Sequence, residues 1–251
     1  DSHVREDNWS LDACCGRALE TGEFTRNQVV CTKTLYNYVN LGFMETRNHH
    51  LPEKLRRNTK AGKVRENKKK LGRSIEERPV EVNCREEFGH WEADLVIGQK
   101  SGNDQALLTL AERKTRQYWI IPIENREADS VIKAFQELQN VYSEHFADVF
   151  KSITTDNGSE FSRLSELEEL AGTLVYFTHP YTSCEKGTNE RHNGIIRRFI
   201  PKGKRISDFD IDEISNIELW CNNLPRKILG YRTPDEVFED ELDSIYSLHT
   251  A

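Results

Sequence analysis

The chain has 251 residues, 36% of them hydrophobic and 31% charged, with a net charge of −7 and a mean hydropathy of −0.72. That length allows one large domain or a medium domain with a small appendage, and eleven Phe, eight Tyr and four Trp supply anchors for a packed interior, which excludes a disordered chain. No apolar run reaches the ~18–20 residues of a membrane span and the opening DSHVREDNWS lacks the apolar centre of a signal peptide, so we expect a cytoplasmic protein without membrane contact.

Residues 8–45 read as a compact helical unit. Leu11, Ala18 and Leu19 suit one helix, Gly22 breaks it, and a second segment opens near Thr25. In VVCTKTLYNYVNLGF, Thr32 is a natural N-cap, and Leu35, Tyr38 and Val39 fall at i, i+3 and i+4 on a buried face. Lys33, Thr34 and Asn37 then lie on the opposite side. Short helices followed by a polar-faced helix suit a helix-turn-helix whose last helix enters the major groove of DNA; an ordinary helical hairpin has the same pattern. We take 1–45 as this DNA-binding unit and 46–82, rich in Lys, Arg and Asn, as a basic linker.

Past the linker the periodicity changes. FGHWEADLVIG, QALLTLAE and RQYWIIPIE are three β-prone runs, with turns at Gly98 to Gly102 and Arg113 to Arg116. They predict an antiparallel meander. ADSVIKAFQELQNVYSEHF has helical period, FKSITT is strand-like, SRLSELEELAG helical, TLVYFTHP strand-like and SCEKGTNERHNGIIRRF helical. The order βββαβαβα predicts an α/β domain, a mixed five-stranded sheet flanked by helices, over 83–245. Further helices run from Ile211 through YRTPDEVFED, and 246–251 form a tail.

The acidic average hides two basic blocks. Arg47 to Arg78 holds twelve Lys or Arg and four Glu, and Glu185 to Arg205 holds seven and two. Each block can neutralise several phosphates, although a basic run alone also suits a solvated linker. The six cysteines, Cys14, Cys15, Cys31, Cys84, Cys184 and Cys221, show neither a CxxC pair nor a secreted framework, so we expect reduced and mostly buried thiols.

Three acids stand out by context. Asp94 interrupts the apolar strand WEADLVIG, where an ionised carboxylate is costly unless it is compensated. Asp156 ends SITT and opens DNGSEF, so it projects at the strand's edge, where it also suits a simple Asx-turn. Glu190 lies on a helix with Arg197 seven residues on, close to the same face. A βββαβ sheet sets its first and fourth strands side by side, so the three acids converge. Two carboxylates 4 Å apart repel by about 4 kcal/mol at an effective dielectric near 20, so such a cluster calls for cations. Oxygen ligands favour magnesium or manganese, and two such ions about 3.5–4 Å apart suit phosphodiester chemistry. His90, His179 and His192 flank the motifs and are read as packing or hydrogen-bonding locally.

HWEADLVIG, ITTDNGSEF and HPYTSCEKGTNERHNGIIRRFIPKG resemble the DDE transposases of bacterial insertion sequences, in particular the family numbered thirty. Thirty-three residues separate Asp156 from Glu190 and a basic residue follows seven positions later, as that family's signature has it. The resemblance runs from about Thr32 through YRTPDEVF. It implies an RNase H-like integrase catalytic core with Asp94, Asp156 and Glu190 as the catalytic and metal-binding triad and two Mg²⁺ or Mn²⁺ ions per site. It also implies helix-turn-helix binding to terminal inverted repeats, then strand cleavage and transfer to target DNA by at least a dimer, in a bacterial cytoplasm at the nucleoid. Lys33, Thr34, Asn37, Lys186, Arg191, Arg197, Arg198 and Lys202 are the expected DNA contacts. Cys184 stands where the family pattern has Trp. Relatives commonly carry another helical module ahead of the one read here, and the first residue, Asp rather than Met, suits a fragment or processed form. Two other readings stay open: a catalytically silent helix-turn-helix regulator or element remnant, and an RNase H-like nuclease.

Overall fold

A computed structural model of the chain describes residues 1–51, 71–99, 104–179 and 187–248, without the side chains of Thr188 and Glu190. Two compact units are present: 1–51 with 223–237, and 71–222 with 238–248 over the described residues. The sequence boundaries follow the chain, whereas the folded units interleave.

In the first unit, α1 (Ser2–Arg5), α2 (Leu11–Glu20) and α3 (Thr32–Leu41) enclose a small core of Val4, Leu11, Val39 and Leu51. Ser10 caps α2, its hydroxyl accepting the Ala13 N–H at 3.1 Å. No helix opens near Thr25; a turn stands there, its hydroxyl and N–H both given to the Gln28 side chain at 2.9 Å. The N-cap of α3 is Cys31, one residue before the expected Thr32, because the Thr32 hydroxyl is drawn off to Asp12 on α2 at 3.1 Å. Tyr38 is exposed rather than buried, since Val39 and Leu35 fill the seam and leave Tyr38 edge-on against Phe43. Residues 223–237 close this unit: Arg17 bridges to Glu236, and the Tyr231 ring lies where any Cβ on residue 16 would stand, so only Gly16 fits there.

In the second unit, β1 (His90–Ile97), β2 (Ala106–Glu112) and β3 (Tyr118–Ile123) form the expected antiparallel meander, followed by α5 (Ala128–Tyr142), with α4 (Val80–Cys84) preceding β1. A short α6 (Phe146–Val149) leads to β4 (Ser152–Thr155), then α7 (Glu166–Ala171), β5 (Leu174–Phe177), α8 (Gly187–Ile196), α9 (Ile211–Asn222) and α10 (Pro234–Leu248), which begins in the first unit. The strand order is β3-β2-β1-β4-β5, with β4 and β5 parallel to β1. This is the mixed five-stranded sheet expected from the order of elements.

Alternation along the strands makes two different faces. Trp91, Ala93, Leu108, Leu110, Ile153 and Val175 face α5, α6 and α7 in a largely apolar layer. The opposite face carries Val96, Leu107, Ala111, Tyr118 and Ile120 against Ile195, Ile196, Ile214 and Ile217 of α8 and α9. Leu71 packs on the first layer and Ser74 bridges to Phe177, so the described end of the basic linker lies along the β5 edge. Of the five described cysteines only Cys15 and Cys221 are buried; Cys31 and Cys84, which end short or exposed segments, are exposed, contrary to the expectation of mostly buried thiols.

Candidate active site

In HWEADLVI, Trp91, Ala93 and Leu95 point into the apolar layer, so His90, Glu92 and Asp94 share the other face. The parallel register of β1 and β4 pairs His90 with Ser152, Trp91 with Ile153 and Glu92 with Thr154. Carried two residues further, that register sets Asp94, in the middle of β1, beside Asp156, which directly follows the last residue of β4, on adjacent strands about 4.8 Å apart. The order of the sheet also reverses between β1 and β4, which is where open α/β sheets place their ligands. Both acids are half-buried. Asp156 Oδ1 accepts the Gly158 N–H at 3.0 Å, which turns the chain sharply after β4.

Helix α8 lies across this face and is fastened to β1 by polar contacts. The Asn189 backbone N–H donates to Glu92 Oε2 at 3.0 Å, and its side-chain amide donates to the Glu92 carbonyl at 2.9 Å. Four residues on, the Asn193 amide donates to Asp94 Oδ2 at 2.7 Å. Another helical turn beyond, Arg197 gives its guanidinium to the Ile97 carbonyl at 2.7 Å. Glu190 follows Asn189 directly on the helix, and its side chain lies outside the described residues.

Glu92 is fully buried and accepts from Arg113 Nη1 at 2.5 Å. An ion pair there needs further hydrogen bonds to offset desolvation, and the Asn189 N–H supplies one. Burial holds the Arg113 guanidinium below its usual pKa. At the turn after β2, the buried Glu112 carboxylate accepts the backbone N–H groups of Gly89, Lys114 and Thr115, and burial raises its pKa. Neither acid stood out in the sequence, although three polar residues at alternate positions of HWEADLVI were a signal for a polar sheet face.

The other expected residues fall in varied surroundings. Lys33 and Asn37 are exposed on α3, while Thr34 is half-buried with its hydroxyl 3.2 Å from Cys31 Sγ. Arg191, Arg198 and Lys202 are exposed, and α8 ends at Ile196, one residue before Arg197. Lys186 and Cys184 lie outside the described residues. His90 bonds Ser152 Oγ at 2.7 Å and Glu87 at 3.1 Å, His179 lies 3.3 Å from Glu76, and His192 stacks on Tyr118.

The donor chemistry suits a hard divalent cation: Asp94 on the polar face of β1 and Asp156 just past β4 offer carboxylate oxygens, and Asn193 ties α8, which carries Glu190, to Asp94. Among the described side chains no third His, Cys, Asp or Glu joins them.

Residues 85–183 match the integrase core domain family. The probable transposase for insertion-like sequence element IS1161 of Streptococcus salivarius is 42% identical over 84% of this chain and 59% of its own length. Transposase InsI for insertion sequence element IS30A of Escherichia coli is 30% identical over 93% of this chain and 62% of its own. The catalytic core domain of BIV integrase aligns with a TM-score of 0.46 at 19% identity, covering 63% of this chain and 98% of that one. The chain thus spans about three-fifths of the length of these two transposases. The chain carries a match to the integrase core domain and is similar along most of its length to insertion-sequence transposases.

Proposed function

We propose that this protein acts on DNA as a divalent-metal-dependent transposase: it binds the terminal inverted repeats of an element, cleaves a phosphodiester at its end and joins the freed 3′-hydroxyl to target DNA. The observation that supports this reading is the parallel β1–β4 register, which carried two residues on sets Asp94 beside Asp156, together with the bond from Asn193 to Asp94, which ties the helix bearing Glu190 to β1. In this reading the three acids hold two Mg²⁺ or Mn²⁺ ions. Cations bound there activate an attacking oxygen and stabilise a leaving one.

The chain's own residues do the rest. Asn193 fixes the carboxylate of Asp94, and Asn189 and Arg197 hold α8 along β1. Exposed Arg191, Arg198 and Lys202 are proposed to grip phosphates beside the cut, with Lys186. Arg197 is proposed to reach DNA only through the N–H groups that its carbonyl contacts leave over. Lys33, Thr34 and Asn37 are proposed to read the repeat from α3, with 46–82 as the basic connection to the catalytic core of 83–245. Two ends must meet, so a dimer on DNA is the proposed working form, in the bacterial cytoplasm at the nucleoid.

The test is incubation of the full chain with labelled end-containing DNA, with and without magnesium. Nicking that requires magnesium and disappears in Asp156→Asn and Glu190→Gln, while gel-shift affinity for end DNA is kept, supports the assignment. Nicking retained by either variant overturns it. End binding without nicking in the parent chain points instead to a silent DNA-binding regulator.

A further inference from the structure

The polar face of the sheet holds more than the acids. Asp94 lies opposite Thr109 in the β1–β2 register, and Thr109 in turn lies opposite Ile120, two residues from Tyr118. The Tyr118 hydroxyl stands 2.6 Å from Asn193 Oδ1, the Thr109 hydroxyl 3.2 Å from the same oxygen, and Asn193 Nδ2 2.7 Å from Asp94 Oδ2. An ionised carboxylate only accepts, so the amide must turn its NH₂ to Asp94 and its oxygen to the two hydroxyls. A tyrosine hydroxyl donating to that oxygen therefore fixes which way the amide faces.

Tyr118 is itself immobilised. It is fully buried, His192 stacks on its ring at 4.7 Å, and Asn222 holds its backbone N–H at 2.9 Å and its carbonyl at 2.8 Å. Burial raises its pKa well above 10, which keeps the hydroxyl a donor throughout the working range. One helical turn back, the Asn189 amide donates to the Glu92 and Thr109 carbonyls at 2.9 and 3.3 Å, and the Thr109 hydroxyl, with a single proton to give, stands 3.1 Å from both the Asn189 oxygen and the Asp94 carbonyl and 3.2 Å from the Asn193 oxygen. The two asparagines bracket Glu190, so the contacts that orient Asp94 also fix the register of α8 on the sheet.

Resting on the function proposed above, we infer that Tyr118, Thr109 and Asn193 form a hydroxyl–amide relay that orients the Asp94 carboxylate and sets α8 in register. Tyr118 and Asn193 are thereby positioning residues of the cation site. Groups that orient a metal ligand commonly carry 10–100-fold in metal affinity or activity. Asn222 provides an internal control, because it holds the backbone of the same tyrosine without entering the relay.

The experiment uses the full chain and Mn²⁺ alone, with binding measured by calorimetry, thermal melting as the check on folding, and nicking of end DNA as the second readout. Tyr118→Phe and Asn193→Ala are expected to weaken Mn²⁺ binding about 10-fold or more and to slow nicking by about 10–100-fold, with unchanged end-DNA affinity. Asn222→Ala is expected to lower the melting temperature and leave Mn²⁺ affinity as in the parent. Parent-like Mn²⁺ affinity in both relay variants overturns the relay and leaves the proposed function standing. An equal loss in Asn222→Ala also overturns it, since the effect is then general loosening. Absence of Mn²⁺ binding by the parent chain removes the cation site and the relay together. Asn193 is half-buried on a helix, so its variant keeps the test valid if Tyr118→Phe fails to fold.

Discussion

The two faces of the sheet are made by the same strands, residue by alternate residue, yet they are held by different forces. On one face Trp91 lies 5.0 Å from Phe150 and 4.5 Å from Trp119 by ring centroids, within a layer closed by Phe135 and Phe146. Its cohesion is area removed from water and dense packing. The other face buries Glu92, Arg113, Thr109 and Asn189, and each polar group there must meet a partner or cost stability. An apolar layer tolerates approximate shapes of the right size, whereas a polar layer requires specified partners. The acids read as the active site stand where the second kind of order prevails.

The comparison breaks first at the aromatic layer. Trp91→Ala is expected to cost about 3–5 kcal/mol, the usual range for an aromatic truncated in a core, read from denaturant unfolding of the full chain. A loss under about 1 kcal/mol would show that this layer does not carry the stability of the sheet.

Somewhat smaller effects are expected on the polar face. Arg113→Ala leaves the Glu92 carboxylate buried without its cation and is expected to cost about 3 kcal/mol. Replacing the pair together, Glu92→Leu with Arg113→Met, is expected to recover most of that stability while slowing nicking, because the Asn189 N–H loses its acceptor. Stability that stays as low in the double variant as in Arg113→Ala would show that the cost lies in packing rather than in the stranded charge.

The smallest effect lies at the solvent-facing rim. Lys151 and His90 lower the Glu87 pKa from 4.5 to about 2. A depressed carboxylate adds stability above its unfolded pKa and loses it as pH falls, here between about 4.5 and 2. His90, held below its ordinary 6.5 by burial, acts in the same direction, because the unfolded chain takes up a proton near pH 6.5 that the native histidine declines. Glu87→Gln is expected to cost under about 1 kcal/mol at pH 7, since this pair is about half exposed, and nothing near pH 2. Melting curves at pH 7 and pH 2.5 for parent and variant check the sign: a variant penalty that grows on acidification would contradict it.

Much of this was legible along the chain. The βββαβαβα order, the meander and the adjacency of the first and fourth strands follow from period and turn signals, because those patterns are local. Asp94 and Asp156 stood out by their setting in apolar or turn sequence. Glu92, Asn189, Asn193 and Tyr118 did not, because a buried polar group is recognised by its partner, and these partners lie far apart in sequence, 97 residues for Glu92 and Asn189 and 99 for Asp94 and Asn193. Cys31 displaced Thr32 as the cap of α3 for the same reason: the Thr32 hydroxyl had a partner on another helix.

By itself the sequence determined the alternation that gives the sheet an apolar and a polar side, the succession of elements and the motifs of the acids. All of these are set by neighbours within a few residues. Only the tertiary structure decided that 223–237 joins the first helices and which side chains complete the polar face. A hydrogen bond or buried ion pair is settled by the meeting of distant segments in the absence of water, and no local pattern encodes that meeting.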